Sequence, residues 1–312
     1  MSRTTIAAWR IALSAALLMP GAGFTAAPGD APPASAPKKA APQNPATPTA
    51  ATEKSQASHA IGLSLAKPLR EAKLKRGVVL LPELARGLKD ALGGKEVTDE
   101  QQQSAQELVR GGSGDRATGS YNMGLAMGLP LHAAFFTADT LSIPDVVKGI
   151  DDVLGGADSS SDTQQIAFAY MTKNKQAVGD ANAAKALAFL AANKSKPGII
   201  TTASGLQYKI LAPGSGQSPK ATDTVSVHYT GKLLDGTEFD GTDLRNNEPA
   251  SFGVNQVIQG WQEALQLMKP GAKFQLFIPP ALAYDRTSED PIPPGSLLVF
   301  TVELLKVGAA GK

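Results

Sequence analysis

The spacing of hydrophobic and polar positions changes along the chain, and each change predicts a different kind of structure. From 58 onward the texture is helical. A longer helical pattern covers 163–193, with Ile166, Tyr170, Leu187 and Leu190 marking an apolar stripe and alanines filling much of the rest. Such a helix would be roughly 45 Å long at 1.5 Å per residue. Gly179 is the expected site of a kink, and Lys196-Pro197-Gly198 the expected stop. Beyond it the period falls to two. In VSVHYTG, Val225, Val227 and Tyr229 alternate with Ser226, His228 and Thr230, the pattern of a half-buried strand. GLQYKIL, KFQLFIPP and LLVFTVELLKV are strand-like too, and Pro213-Gly214, Asp235-Gly236 and Pro294-Gly295 supply turns. QVIQGWQEALQLMKPG alone returns to helical spacing, through Val257, Trp261, Leu265 and Met268, and stops at Pro270-Gly271. The expected fold class is α+β: an all-α amino-terminal module, then a curved antiparallel sheet wrapped on one short helix.

The helical module contains a duplication. SHAIGLSLAKPLREA (58–72) aligns without gaps on SYNMGLAMGLPLHAA (120–134), and LPELARGLKDALGG (81–94) aligns on IPDVVKGIDDVLGG (143–156), both at an offset of 62 residues. Pro82/Pro144, Gly87/Gly149 and the two Gly-Gly pairs stay in register, which shared composition does not produce. Each unit reads as helix, loop, helix, with the prolines in first turns and the glycine pairs as stops.

Arg3 and Arg10 precede an apolar run, Ile11 to Leu18, and small residues follow up to Ala27. The run is well short of the ~20 residues that span a bilayer, so it predicts a cleaved export signal. The Pro/Ala/Thr-rich stretch 28–57 has no apolar period and predicts a disordered spacer. The expected organisation is a signal peptide over 1–27, the spacer over 28–57 and helical repeats over 58–110 and 120–162. A connecting helix over 163–197 and a β-rich domain over 198–312 complete it.

Composition narrows the chemistry. The charges, 30 Lys+Arg against 28 Asp+Glu, leave no basic block for nucleic acid. With Cys at 0, disulfides, thiol catalysis and cysteine metal sites are excluded. His59, His132 and His228 have no ligand spacing, so no metal and no cofactor is expected. No G-x-S-x-G, P-loop or H-E-x-x-H is present, and His228, without a nearby carboxylate in sequence, reads as structural. The chemistry expected needs neither a covalent nucleophile nor a metal.

HYTGKLLDGTEFD, QVIQGWQEAL, IPPALAY and IPPGSLLVFTVELL, in this order, resemble the FK506-binding-protein (FKBP) type of peptidyl-prolyl cis/trans isomerase across 201–307. Upstream, SYNMGLAMG, VVKGIDDVLGG and AFLAANKSKPGIITTASGLQYKIL resemble the amino-terminal module of exported isomerases of the Mip and FkpA kind. The resemblance implies an FKBP-like sheet and acceleration of X-Pro isomerisation in exported proteins, with proline-containing polypeptides as substrates. It also implies inhibition by FK506- or rapamycin-like macrolides and export in a Gram-negative bacterium, to the periplasm or to an outer-membrane-associated or secreted location. A periplasmic holdase with incidental isomerase activity is the alternative. In that family the short helices interlock with a second subunit. The tandem copies here permit either a monomer by internal pairing or a homodimer through the helical module.

The family's site residues carry over position by position. Tyr229, Asp240 and Tyr284 fall on catalytic positions; Phe239, Arg245, Val257, Ile258, Trp261, Ile292 and Phe300 fall on substrate-binding ones. In the family the Trp261 ring is the floor under the proline, Tyr284 donates to the substrate carbonyl, and Val257 and Ile258 offer backbone groups. Asp240 would contribute a dipole near the rotating carbonyl and be held ionised by Arg245. Two departures stand out. The segment 284–292 has no glycine, which implies a charged, stiffer rim, and Ala250 replaces a larger apolar residue, which implies a more open wall.

Overall fold

The computed structural model describes residues 49–111, 114–289 and 291–308. The expected export signal, and the spacer as far as residue 48, lie outside the described residues. The chain divides into two compact units, the second beginning at Lys173.

The first unit is helical: α1 (Ala50–Leu65), α2 (Lys67–Glu71), α3 (Leu81–Leu92), α4 (Asp99–Val109), α5 (Arg116–Ala133), α6 (Ile143–Leu154) and the start of α7 (Ser161–Asn193). The spacer expected to reach residue 57 is already helical from Ala50. Thr49 caps that helix by accepting from the Thr52 N–H at 3.3 Å, and Glu53 lies in its first turn. Capping and alanine propensity extend the helix although its first turns lack an apolar period.

The two sequence repeats cross-pair within the chain. The first helix of one repeat packs on the second helix of the other: α1 on α6, and α5 on α3. Glycine makes both contacts possible. A Cβ on Gly62 would overlap the Val146 carbonyl and one on Gly149 the His59 carbonyl; at the other crossing, Gly124 meets Leu84 and Gly87 meets Tyr121 in the same way. Ser58 Oγ accepts from the Ser142 N–H and Ser120 Oγ from the Leu80 N–H, each at 2.9 Å. His59 meets Asp152 at 2.8 Å, and Tyr121 donates to Asp90 at 2.6 Å. Every such contact has its counterpart 62 positions along, so the module has an approximate two-fold relation built into one chain. The register extends to the next helix. Thr98, which caps α4, corresponds to Ser160 before α7, and buried Ala105 to buried Ala167.

Helical hydrogen bonding in α7 runs unbroken through Gly179, where a kink was expected. Its buried positions are the small residues Ala167, Gly179 and Ala186 and the polar Asn174 and Asn193, whereas Leu187 is 70% exposed and Ile166 45% exposed. Of the expected stripe, Tyr170 and Leu190 are partly buried against apolar cores, while Ile166 and Leu187 are exposed.

The second unit holds an antiparallel sheet ordered β1-β2-β6-β7-β3-β4, with β5 also paired to β3. The strands are β1 (Ile199–Thr201), β2 (Gln207–Pro213), β3 (Thr224–Lys232), β4 (Glu238–Gly241), β5 (Ala250–Gly253), β6 (Ala272–Ile278) and β7 (Leu298–Gly308). Helix α8 (Gln259–Leu267) packs its Trp261, Ala264 and Leu265 into a core with Val227, Leu276 and Val302. The unit starts earlier than the expected boundary at 198, because residues 173–193 of α7 cover further positions of the sheet. Ala186, Phe189 and Leu190 pack with Phe277, Leu297 and Val299, the Phe189 and Phe277 rings 5.6 Å apart. Asn193 and Gln207 fasten the helix end, the Asn193 amide donating to Gln207 at 3.0 Å and Gln207 to the Leu190 carbonyl at 2.9 Å.

Candidate functional site

Strand alternation places Tyr229 among the buried residues of β3. His228 points the other way, with Nδ1 3.3 Å from Thr242 Oγ1. The chain then turns at Asp235-Gly236, where the Gly236 N–H donates to Leu233 O at 3.0 Å and Leu233 N–H to Thr237 O at 2.8 Å. Gly236 adopts φ +92°, which its lack of a side chain permits. The hairpin sets Asp240 opposite Gly231. A Cβ at Gly231 would collide with the Phe239 and Phe300 rings, so glycine there lets both aromatics close over the strand.

Tyr229 Oη donates to Asp240 Oδ2 at 2.6 Å. Arg245, on the 3-10 turn Asp243–Arg245, ion-pairs with Asp240 Oδ1 and donates to Tyr229 Oη at 3.1 Å. The Gly241 N–H adds a fourth link, to Oδ1 at 3.0 Å. Burial first, then the bond to the Asp240 carboxylate, push the Tyr229 hydroxyl up to about 12, so it stays a donor at neutral pH. The bond to Asp240 raises Arg245 as well.

Trp261 lies in the first turn of α8 and is 4% exposed. Tyr229 and Phe300 stand nearly perpendicular to its ring, at 5.3 Å and 5.2 Å with interplanar angles of 89° and 87°, and Phe252 does so at 6.0 Å. Phe239 meets Phe300 edge-on at 5.5 Å. This edge-to-face array fixes the ring positions without filling the space above the indole. The result is a cleft of ≈ 780 Å³ whose lining includes Tyr229, Phe239, Asp240, Trp261, Tyr284 and Phe300. Val257, Ile258 and Ile292 reach it from the approach to α8 and from the far rim. The Ile258 carbonyl accepts from the Trp261 and Gln262 N–H groups at 2.9 and 3.0 Å, while the Ile258 N–H has no partner among the described residues. The half-buried Tyr284 hydroxyl has none either; its burial, and after that the charges of Glu289 and Asp240, keep it protonated well into the alkaline range.

Nine of the ten residues singled out from the sequence thus line one cleft; Arg245 stands behind it, holding Asp240. Glu289 and Pro291 reach it from the expected rim, and Phe252 and Gln256 also line it and were not anticipated. Phe252 lies on the four-residue strand β5, too short for a period to register, and the alternation of Ala250 and Phe252 was the available signal. Ala250 itself pairs with Val227 rather than lining the cleft, and Phe252 supplies the wall that was expected to be open. Among the described residues no cluster of three or more His, Asp or Glu could hold a metal.

Two family models match most of the chain from residue 116 onward. The model of the FKBP-type peptidyl-prolyl cis-trans isomerase matches residues 215–305, and that of the domain amino terminal to it matches 116–210. The outer membrane protein MIP of Legionella longbeachae is 45% identical over 179 residues, 54% of this chain and 76% of that protein. The FKBP-type 22 kDa peptidyl-prolyl cis-trans isomerase of Escherichia coli is 41% identical over 198 residues, 61% of this chain and 95% of that protein. The crystal structure of FkpA from Escherichia coli superposes with a TM-score of 0.50 at 31% identity, covering 64% of this chain and 99% of that one.

Proposed function

The chain belongs to the FKBP-type peptidyl-prolyl cis-trans isomerases, and from that membership we propose that the cleft over Trp261 is where it turns X-Pro bonds. It is a peptidyl-prolyl isomerase, and proline-containing polypeptides are its substrates. The barrier to be lowered, ~18–20 kcal/mol, comes from amide resonance, so no bond needs a nucleophile. Uncatalysed, the turn takes tens to hundreds of seconds. A site that binds the twisted amide better than either planar form accelerates it.

The observation that carries the assignment is the pairing of an aromatic floor with oriented polar groups at its edge. The proline ring lies on Trp261 between Phe239, Ile292 and Phe300. An apolar wall disfavours the charge-separated resonance form and so weakens the C–N double-bond character. Asp240, fixed by Tyr229 and Arg245, presents its dipole to the carbonyl as it leaves the amide plane. The Ile258 N–H and the Tyr284 hydroxyl, both without partners among the described residues, donate to the flanking substrate carbonyls. Macrolides of the FK506 and rapamycin kind would compete for the same cleft. A protease-coupled isomerisation assay on the mature chain tests the reading: acceleration blocked by such a macrolide supports it, and acceleration insensitive to saturating macrolide overturns the shared site. The holdase alternative is not favoured, since the family model and the relatives carry the isomerase name.

The relatives' names, outer membrane protein among them, agree with the amino-terminal pattern in pointing to an exported protein, and we place it in the periplasm of a Gram-negative cell. No helix among the described residues is long and apolar enough to cross a membrane. The family model for the amino-terminal domain starts at residue 116, so it matches one helical repeat of the two. With the second repeat present, the crossings that bury Gly62 against Gly149 and Gly124 against Gly87 are satisfied inside one chain. We therefore take the protein to be a monomer with one catalytic domain. Sedimentation equilibrium at the mass of one chain supports this, and a two-chain mass overturns it.

A further inference from the structure

The segment from Tyr284 to Ser296 forms one rim of the cleft, and its outer side rests on α7. Its base is closed by two backbone bonds, Gly295 N–H to Asp285 O at 2.7 Å and Asp285 N–H to Pro280 O at 2.8 Å. The inner side carries Tyr284, Glu289, Pro291 and Ile292 to the cleft. On the outer side, Arg286 ion-pairs with Asp180, and Asn182 Nδ2 donates to the Pro294 carbonyl at 3.0 Å. Between these contacts the backbones touch, since a Cβ on Gly295 would overlap the Gly179 carbonyl, and Gly295 also has φ +71°. All three contacts come from one turn of α7, and the isomerisation chemistry uses none of the helix residues involved.

We propose that Gly179, Asp180 and Asn182 are positioning residues that set the height of this rim over Trp261, and with it the preference for the residue preceding proline. The inference rests on the cleft being the proline site. A rim without glycine over 285–291 that hung free would lose binding energy to ordering at each encounter, and one already held against a helix would not. Of the three contacts the ion pair is the weakest, because Arg286 and Asp180 are 54% and 59% exposed and such pairs are screened. The Asn182 bond is half-buried, and the Gly179–Gly295 approach is steric, so these two determine the distance. The glycine this contact requires is Gly295, whose Cβ would overlap the Gly179 carbonyl; a Cβ on Gly179 itself would meet Pro294 at an ordinary 3.4 Å, so the helix contributes its backbone carbonyl here.

The test uses the full chain and a series of peptides that differ in the residue before proline. The double variant Asn182→Ala with Arg286→Ala is expected to lose about three- to ten-fold in kcat/KM, with kcat and KM changing together as for a loosened loop. The spread of rates across the series should narrow, while the unfolding midpoint stays near that of the parent. Parental rates and spread in the double variant overturn the inference. Trp261→Leu, run alongside, separates the two readings. An inactive Trp261→Leu beside unaffected rim variants removes only this inference, whereas an active one removes the cleft assignment itself.

Discussion

Tyr229 Oη sits 2.6 Å from Asp240 Oδ2, with Arg245 bonded to both, so the carboxylate at the edge of the cleft cannot turn away from it. Each member comes from a different local structure: a central strand, the far end of the next hairpin and the 3-10 turn behind it. The cost of orienting a dipole toward a rotating carbonyl is thereby met during folding and not at each turnover.

The Tyr229 hydroxyl gives this arrangement a pH signature. Its ordinary value of 10.0 is raised to about 12 in the folded protein. Below the ordinary value both states keep the proton and the stabilisation is fully present. As pH rises from about 10 towards 12 the unfolded chain releases a proton that the folded one retains, and stability falls. Urea titrations across that window should show the fall in the parent and a smaller one in Tyr229→Phe. Equal slopes would mean that the hydroxyl is not held as described.

The glycine crossings of the helical module reverse an ordinary expectation. In an open helix interior Gly→Ala stabilises by up to about 1 kcal/mol. At Gly62 or Gly124 the added methyl meets a carbonyl of the facing helix, so each substitution should destabilise the module by about 1–3 kcal/mol. Chemical denaturation followed by far-UV circular dichroism checks this, and a stabilised Gly124→Ala would show that the helices are further apart than described.

Ser58 and Ser120 should behave as a matched pair. Each is fully buried and accepts from the N–H of the N-cap residue of the helix it faces, Ser142 or Leu80, at 2.9 Å. Replacing either by alanine leaves that N–H unpaired, at about 1–3 kcal/mol. Similar losses at both positions, and near-additive losses in the double variant, are expected from denaturation midpoints.

Much of this was legible in the sequence because it rests on local periods and fixed offsets. The alternation around Tyr229, the Asp235-Gly236 turn, the helical spacing through Trp261 and the duplication each depend on neighbours in the chain. What was not legible depends on distant backbone. Gly295 looks like a plain turn glycine until the Gly179 carbonyl is brought against it. Leu187 looks like a packed residue until Ala186, Phe189 and Leu190 prove to be the positions of α7 that meet the sheet. Phe252 looks like part of a loop until β5 pairs with β3. Helical propensity and a threonine cap, in place of apolar period, carried α1 back to Ala50 through a stretch that reads as spacer.

The central claim is that the cleft of Tyr229, Asp240 and Trp261 performs the isomerisation. The most direct measurement is kcat/KM of full-length Asp240→Leu against the parent in the protease-coupled assay, with the unfolding midpoint of both proteins recorded. Loss of an oriented polar group at the reacting centre predicts a fall of about 10-fold or more. The midpoint should move little, because Asp240 is 41% exposed and its ion pair contributes little to folding. An unchanged kcat/KM would contradict the claim and leave Asp240 an ordinary hairpin residue.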